Sequence, residues 1–163
     1  MPEQHVVGLL IGVALDQLIP HRWPRWTIRI GLPLAALGVV VNASAVRSRG
    51  AGDLDRPTEL VRSGPYAWSR NPMYLGWSLI HLGAALSARS PGMSITWPVS
   101  VVLVNRAIGH EERQLAAGFG TEFTSYAAAV PRYLSASSVR ILVRSVRAHG
   151  RMRPPRSGTT RRA

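Results

Sequence analysis

The sequence predicts an all-α fold, an integral membrane helical bundle of about four transmembrane helices, on three observations. The first two thirds of the 163-residue chain alternate apolar runs with short arginine-bearing loops. Four of those runs, at 6–19, 27–46, 72–88 and 92–108, read as membrane helices by their apolar composition, the first of them short. The last two are separated only by Arg89-Ser90-Pro91-Gly92, whose Pro-Gly pair is a turn signal, so they read as a C-terminal helical hairpin. Residues 1–134 then form the membrane domain and 135–163 a basic tail.

The run at 6–19 is broken only by Asp16 and Gln17. It has the length of a signal-peptide core, but Glu3 and no Arg precede it. No small-x-small cleavage site follows before His21-Arg22-Trp23-Pro24-Arg25-Trp26. It reads as a short first membrane helix with Trp23 and Trp26 at the interface, although a full span needs about 20 residues. The run at 27–46 holds only Arg29, Pro33 and Asn42 against it; Arg29 can snorkel and Pro33 can kink the helix.

Residues 47–71 form a polar connection that runs straight into the third helix. Asn71 has the chemistry of an N-cap, and Pro72 suits the first helical position because its missing N–H would be unpaired there anyway. The helix is therefore expected to start at Pro72. Its free N–H groups and dipole, with Arg70 just outside, suit an anionic group such as a carboxylate. Further along, Tyr74, Trp77, Ser78 and His81 share one face at three-to-four spacing, which should point into the bundle. His81 reads first as a satisfied bundle histidine.

After residue 108 the chain presents two adjacent carboxylates, Glu111 and Glu112. They lie about 100° apart around a helix, so at most one faces the bundle squarely, where Arg70 or Arg106 could pair with it. The alternative is a solvated acidic pair. Gly118 and Gly120 are expected to end this helix, and Val130-Pro131-Arg132-Tyr133 closes the folded part. In the tail, Arg140, Arg144 and Arg147 alternate with Val139, Leu142, Val143 and Val146 as a basic amphipathic helix suited to an anionic leaflet; beyond His149 disorder is expected.

Charge sets the orientation. Arg47, Arg49, Arg56, Arg62 and Arg70 lie on one side with everything after residue 108, against Arg22, Arg25 and Arg89 on the other. The first side is expected to be cytoplasmic, with both termini and the Arg70 corner facing the cytosol from the cell's inner membrane. Of the 20 basic residues, all Arg, eight lie at or after Arg140, and the net charge is +12. A charge concentrated in a tail favours an anionic membrane surface over sequence-specific nucleic acid. The chain has no cysteine, which removes disulfides and thiolate chemistry. The glycines follow no predicted strand, no Gly-x-Ser-x-Gly elbow occurs, and the five His are too scattered for zinc, so no metal site is expected.

The run Ser63-Gly64-Pro65-Tyr66, then Arg70-Asn71-Pro72-Met73-Tyr74-Leu75-Gly76, then Glu111-Glu112 with Leu115, Phe119-Gly120, Tyr126 and Val130-Pro131-Arg132, resembles the isoprenylcysteine carboxyl methyltransferase family of integral membrane proteins. Phospholipid N-methyltransferases are similar in the same region. The resemblance covers residues 60–133; the first two spans match by hydropathy alone. It implies a transferase that binds S-adenosyl-L-methionine at the cytosolic ends of the last helices and methylates a lipophilic acceptor or lipid entering from the bilayer. It further implies a cofactor pocket drawing on Tyr66, Asn71, Pro72, Tyr74 and Gly76 from the first segment. From the second segment it draws on His110, Glu111 and Glu112, with Arg70, Glu112 and Arg106 as the catalytic set. One departure is Asn71, where the family often has His.

The cofactor's own groups suit these residues. Its carboxylate suits the helix start and Arg70, its amine and ribose hydroxyls suit Glu111 or Glu112, and its sulfonium suits aromatic faces such as Tyr74 or Trp68. A carboxyl acceptor is the leading expectation, since it needs no general base. Amine or phenol methylation would need one, for which His110 or a Glu is available. From a different class, a non-catalytic membrane protein with a lipid-binding basic tail would show no affinity for the cofactor.

Overall fold

Residues 3–50 and 59–135 are described by the computed structural model; the expected tail helix around Arg140, Arg144 and Arg147 lies outside them. Among the described residues the chain forms five α-helices and one 3-10 turn. These are α1 (Glu3–Leu15), α2 (Thr27–Arg49), the 3-10 turn (Gly64–Ala67), α3 (Pro72–Ser87), α4 (Pro91–Phe119) and α5 (Thr121–Ala129).

The helices pack antiparallel in the order α2, α3, α4, α1, and small residues set their spacing. A Cβ on Gly83 would lie 2.4 Å from the Ala35 backbone nitrogen, and one on Gly38 would lie 2.6 Å from the Gly76 carbonyl oxygen, so α2 and α3 touch backbone to backbone. Gly12 meets the Met93 backbone in the same way where α1 crosses α4. Close approach through small residues is how helices associate where no hydrophobic drive separates lipid from protein. Large apolar side chains point outward instead: Leu32, Val39 and Val40 on α2 are 59%, 56% and 60% exposed, and Leu10 on α1 is 66% exposed.

By length and hydropathy one described helix, α2, is long and apolar enough to cross a membrane, and only 17% of its apolar window is buried inside the protein. The first helix is displaced from its expected place. It ends at Leu15, not 19, because the Asp16 carboxylate accepts the Gly92 N–H at 2.9 Å and so caps the start of α4. Its 13 residues rise about 20 Å, short of a hydrocarbon core of about 30 Å.

The hairpin forms as expected, with Arg89 in the left-handed region at φ 57° inside its tight turn and the Ser90 side chain accepting the Met93 N–H. α4 runs on past the apolar stretch that ends at residue 108, as the expected helix end at Gly118 or Gly120 requires. It continues as one 29-residue helix through Glu111 and Glu112 to Phe119, since the sequence from His110 to Ala117 holds only residues that a helix tolerates. Gly118 stays inside it, and Gly120, at φ 54°, ends it. At the end of the bundle where α3 begins, here termed the head, Phe123, Tyr126 and Val130 form a small core with Leu60, Leu115 and Phe119.

Candidate active site

The head is held by one carboxylate. Glu112 Oε1 accepts from Arg70 Nε at 3.0 Å and Nη2 at 2.9 Å, while Oε2 accepts from Arg132 Nε at 3.1 Å and Nη2 at 2.5 Å. Arg70 Nη1 donates to the carbonyls of Ala127 and Val130, at 2.9 and 2.7 Å, so all three guanidinium nitrogens are engaged by the protein. Around this latch, the Arg70 N–H donates to the Pro131 carbonyl and Ser69 Oγ to the Arg132 carbonyl. The Tyr126 hydroxyl donates to the Tyr66 carbonyl at 2.8 Å. Residues 126–132 are thereby folded back over the starts of α3 and the exit of α4.

Burial alone would raise the Glu112 carboxyl, but the hydrogen bonds from Arg132 and Arg70 outweigh it and hold the group below its ordinary value. A depressed folded-state value means that the latch's stability is fully present above the unfolded value of 4.5 and is lost as pH falls through the folded one. Unfolding in detergent is therefore expected to become easier below about pH 4.5, and the difference between the parent and Glu112→Gln should shrink there. Paired denaturation curves at neutral and acid pH check it. A parent–variant gap that widened on acidification would assign the loss to another group. Burial likewise pushes the Tyr126 phenol up to about 12, so it remains a donor throughout the neutral range.

Lined in part by the latch residues Arg70 and Glu112 is a cavity of about 60 Å³, here termed the polar cavity, with Arg49, Glu59, Tyr66, Asn71 and Glu111 as its other polar walls and Leu60, Val61, Leu115 and Phe123 as its apolar ones. Room for a few waters is what such a volume provides, enough for the charged end of a ligand. Burial raises the Tyr66 phenol, and Arg49, hydrogen-bonded to it, works against that shift. The cavity thus presents acids and a cation together, a donor set for a ligand carrying both an anionic and a cationic group.

An apolar cavity of about 290 Å³ lies between α1, α3, α4 and the closing segment, lined by Tyr74, Ser78, Trp97, Val104 and Tyr133 with His5. The two cavities share a partition. Tyr74, whose side chain lines the apolar one, donates its hydroxyl at 3.1 Å to Glu111, which lines the polar one.

The structure thus brings Arg70, Asn71, Glu111, Glu112, Tyr66 and Tyr74 to one place across the hairpin, and it changes several roles. Asn71 precedes Pro72 as expected, but its side chain makes no capping bond; Nδ2 is turned to the Arg132 carbonyl at 3.3 Å because Arg132 and Glu112 lie there. Pro72 is buried at the helix start. Gly76 is a packing glycine, with the Asn42 side chain and Gly38 backbone where its Cβ would be. Arg106 is exposed on α4 and lines neither cavity, and His110 is exposed and bonded to Gln114 at 3.1 Å. His81 is satisfied inside the bundle by His5, Met93 and Thr96. Arg132 entered the sequence reading only as part of the closing Val130-Pro131-Arg132 motif, with no role given to it; Glu59 was not singled out, nor was Arg49 beyond its part in the charge count. The position of Arg49 in the last turn of α2, on the side of the Arg excess, was the available signal.

A family model described as phospholipid methyltransferase matches residues 26–122. The protein-S-isoprenylcysteine O-methyltransferase of Mus musculus is 27% identical over 122 residues, 67% of this chain and 43% of that protein. That of Homo sapiens matches to the same extent, and that of Tribolium castaneum is 28% identical over 109 residues, 62% of this chain and 39% of its own. The chain spans about two fifths of the length of these curated relatives. The matched segment runs from the start of α2 into α5 and carries the hairpin, the Arg70 corner and the acidic pair. With more than half its length covered by that model, and with relatives of this kind, the chain belongs to the phospholipid methyltransferase family, which its resemblance to the isoprenylcysteine carboxyl methyltransferases had indicated.

Proposed function

We propose that the protein is an S-adenosylmethionine-dependent membrane methyltransferase acting on a lipophilic acceptor, in first place on a carboxyl group. The observation that carries this reading is the partition: a polar cavity and an apolar one meet at the Tyr74–Glu111 hydrogen bond. Methyl transfer from a charged, water-soluble donor to a greasy acceptor needs two such compartments in contact, and alignment there supplies most of the catalysis.

The residues fit the cofactor. Glu111 and Glu59 would hold the ammonium of its amino-acid end and Arg49 the carboxylate, which is the part that a cavity of this size admits. When bound, the cofactor supplies an electrophilic methyl on its sulfonium. Glu112 and Arg70, occupied with each other, keep the wall of the pocket in place rather than contacting the ligand. Tyr74 orients the Glu111 carboxylate and separates the polar end from the acceptor. A carboxylate acceptor held in line would take that methyl as an ester while the C–S bond breaks and the sulfur leaves as a neutral thioether, with no proton to remove and with opposite charges cancelling.

In the membrane we place the head on the cytoplasmic side, with four helices crossing or entering the bilayer and both termini inside, on the strength of the arginine asymmetry. The test is transfer of labelled methyl from S-adenosylmethionine by the purified protein in nanodiscs. The panel of acceptors comprises a prenylated thioether carboxylate, its amide and an aminophospholipid. Label in a base-labile ester of the first is the expected result; label in the phospholipid amine would move the reading to N-methylation, and label in none would overturn it.

A further inference from the structure

The apolar cavity is lined by a histidine that the proposed transfer leaves unused. His5, in the first turn of α1, is fully buried and yet lines that cavity. Its proton can be placed from its neighbours. His81 Nε2 is 3.2 Å from the Met93 carbonyl oxygen, which can only accept, so with neutral rings His81 carries its hydrogen on Nε2. The Thr96 hydroxyl agrees: it donates to the same carbonyl at 3.0 Å and turns a lone pair toward His81 Nε2 at 3.4 Å. His81 Nδ1 is then an acceptor, and His5 Nδ1, 3.1 Å away, donates to it. The relay leaves His5 Nε2 without a hydrogen, and among the described residues nothing bonds to it. A buried acceptor without a partner is costly and rare in native structures.

We infer that His5 Nε2 is a specificity-determining acceptor in the apolar cavity, which takes an amphiphile whose chain carries a hydrogen-bond donor, a hydroxyl or an amide N–H, at the depth of His5. The inference rests on the reading of that cavity as the acceptor's chamber. A plain hydrocarbon chain leaves the lone pair unpaired, whereas a donor relieves it. Sites built around a fixed hydrogen-bonding group discriminate against the analogue lacking its partner more strongly than apolar walls discriminate by shape. The α1 helix supplies this group by packing against the bundle so that residue 5 faces His81 of α3.

Two probes of matched size separate the possibilities: dodecanol, which donates, and dodecyl methyl ether, which does not. With the protein in nanodiscs and its histidines labelled with ¹⁵N, the parent should show His5 Nε2 as a pyridine-type nitrogen whose signal moves with dodecanol and not with the ether. Quenching of Trp97 fluorescence should give about 3- to 10-fold tighter binding of the alcohol, the worth of one neutral hydrogen bond. In His5→Phe that preference should fall to unity. Equal affinity for both probes, binding of neither, or a pyrrole-type His5 Nε2 in the parent would overturn the assignment, the last without any variant. Calorimetric titration with S-adenosylmethionine on the same samples reports the polar cavity separately. Loss of cofactor binding alongside intact alcohol preference would sink the methyltransferase reading and leave His5 as an alcohol-selective acceptor.

Discussion

Glu112→Ala is expected to destabilise the head of the bundle by about 3–5 kcal/mol, the usual consequence of removing one partner from a desolvated ion pair. The Arg70 and Glu112 side chains are each only 13% exposed, so the abandoned Arg70 charge stays largely out of water. Arg132 is 38% exposed, and solvent takes up much of its loss, which places the expected value toward the lower end. Denaturant titration of the purified protein in mixed micelles measures it. A double-mutant cycle with Arg70→Ala should return a coupling of about 0.5–3 kcal/mol, because the double variant no longer leaves a buried charge behind. If Glu112→Ala unfolded at the parental midpoint and lost only cofactor affinity, the latch would be a ligand contact instead.

Glu111→Gln is expected to do the reverse, leaving stability near the parent and weakening S-adenosylmethionine binding by roughly 10- to 150-fold. That range corresponds to the 1.5–3 kcal/mol typical of a charge-assisted hydrogen bond. The amide oxygen still accepts from the Tyr74 hydroxyl, so the partition is kept while the charge facing the polar cavity is lost. Calorimetry measures the affinity, and Arg106→Ala, at an exposed site away from both cavities, is the control expected to stay within about twofold of the parent. Parental affinity in Glu111→Gln would remove Glu111 from the cofactor site.

These two neighbours show where sequence reading reached and where it stopped. The helix start at Pro72, the turn before α4, the stop at Gly120 and the return of Glu112 to Arg70 follow from local chemistry and from antiparallel spans, and all were legible. Adjacency on a helix shows that Glu111 and Glu112 part by about 100°, but not which faces the latch. That depends on Arg132, which arrives from the closing segment and claims the second oxygen of Glu112. The same residue explains Asn71, whose side chain has a better partner in the Arg132 carbonyl than in the helix it precedes. Gly76 entered the expected cofactor pocket only through the resemblance; its missing side chain makes room for the Asn42 side chain and the Gly38 backbone of α2. The His5 relay joins residues 76 positions apart on helices of different lengths, and no periodicity encodes such a register.

The latch also imposes an order of assembly on the growing chain. Arg70 and Glu112 emerge first, but the carbonyls of Ala127 and Val130 and the guanidinium of Arg132 come from the last part of the described chain to be synthesised. Until those residues leave the ribosome, Arg70 lacks two of its acceptors and one oxygen of Glu112 lacks its cation. A nascent chain halted before Arg132 would therefore present a pair of underpaired charges and an open pocket.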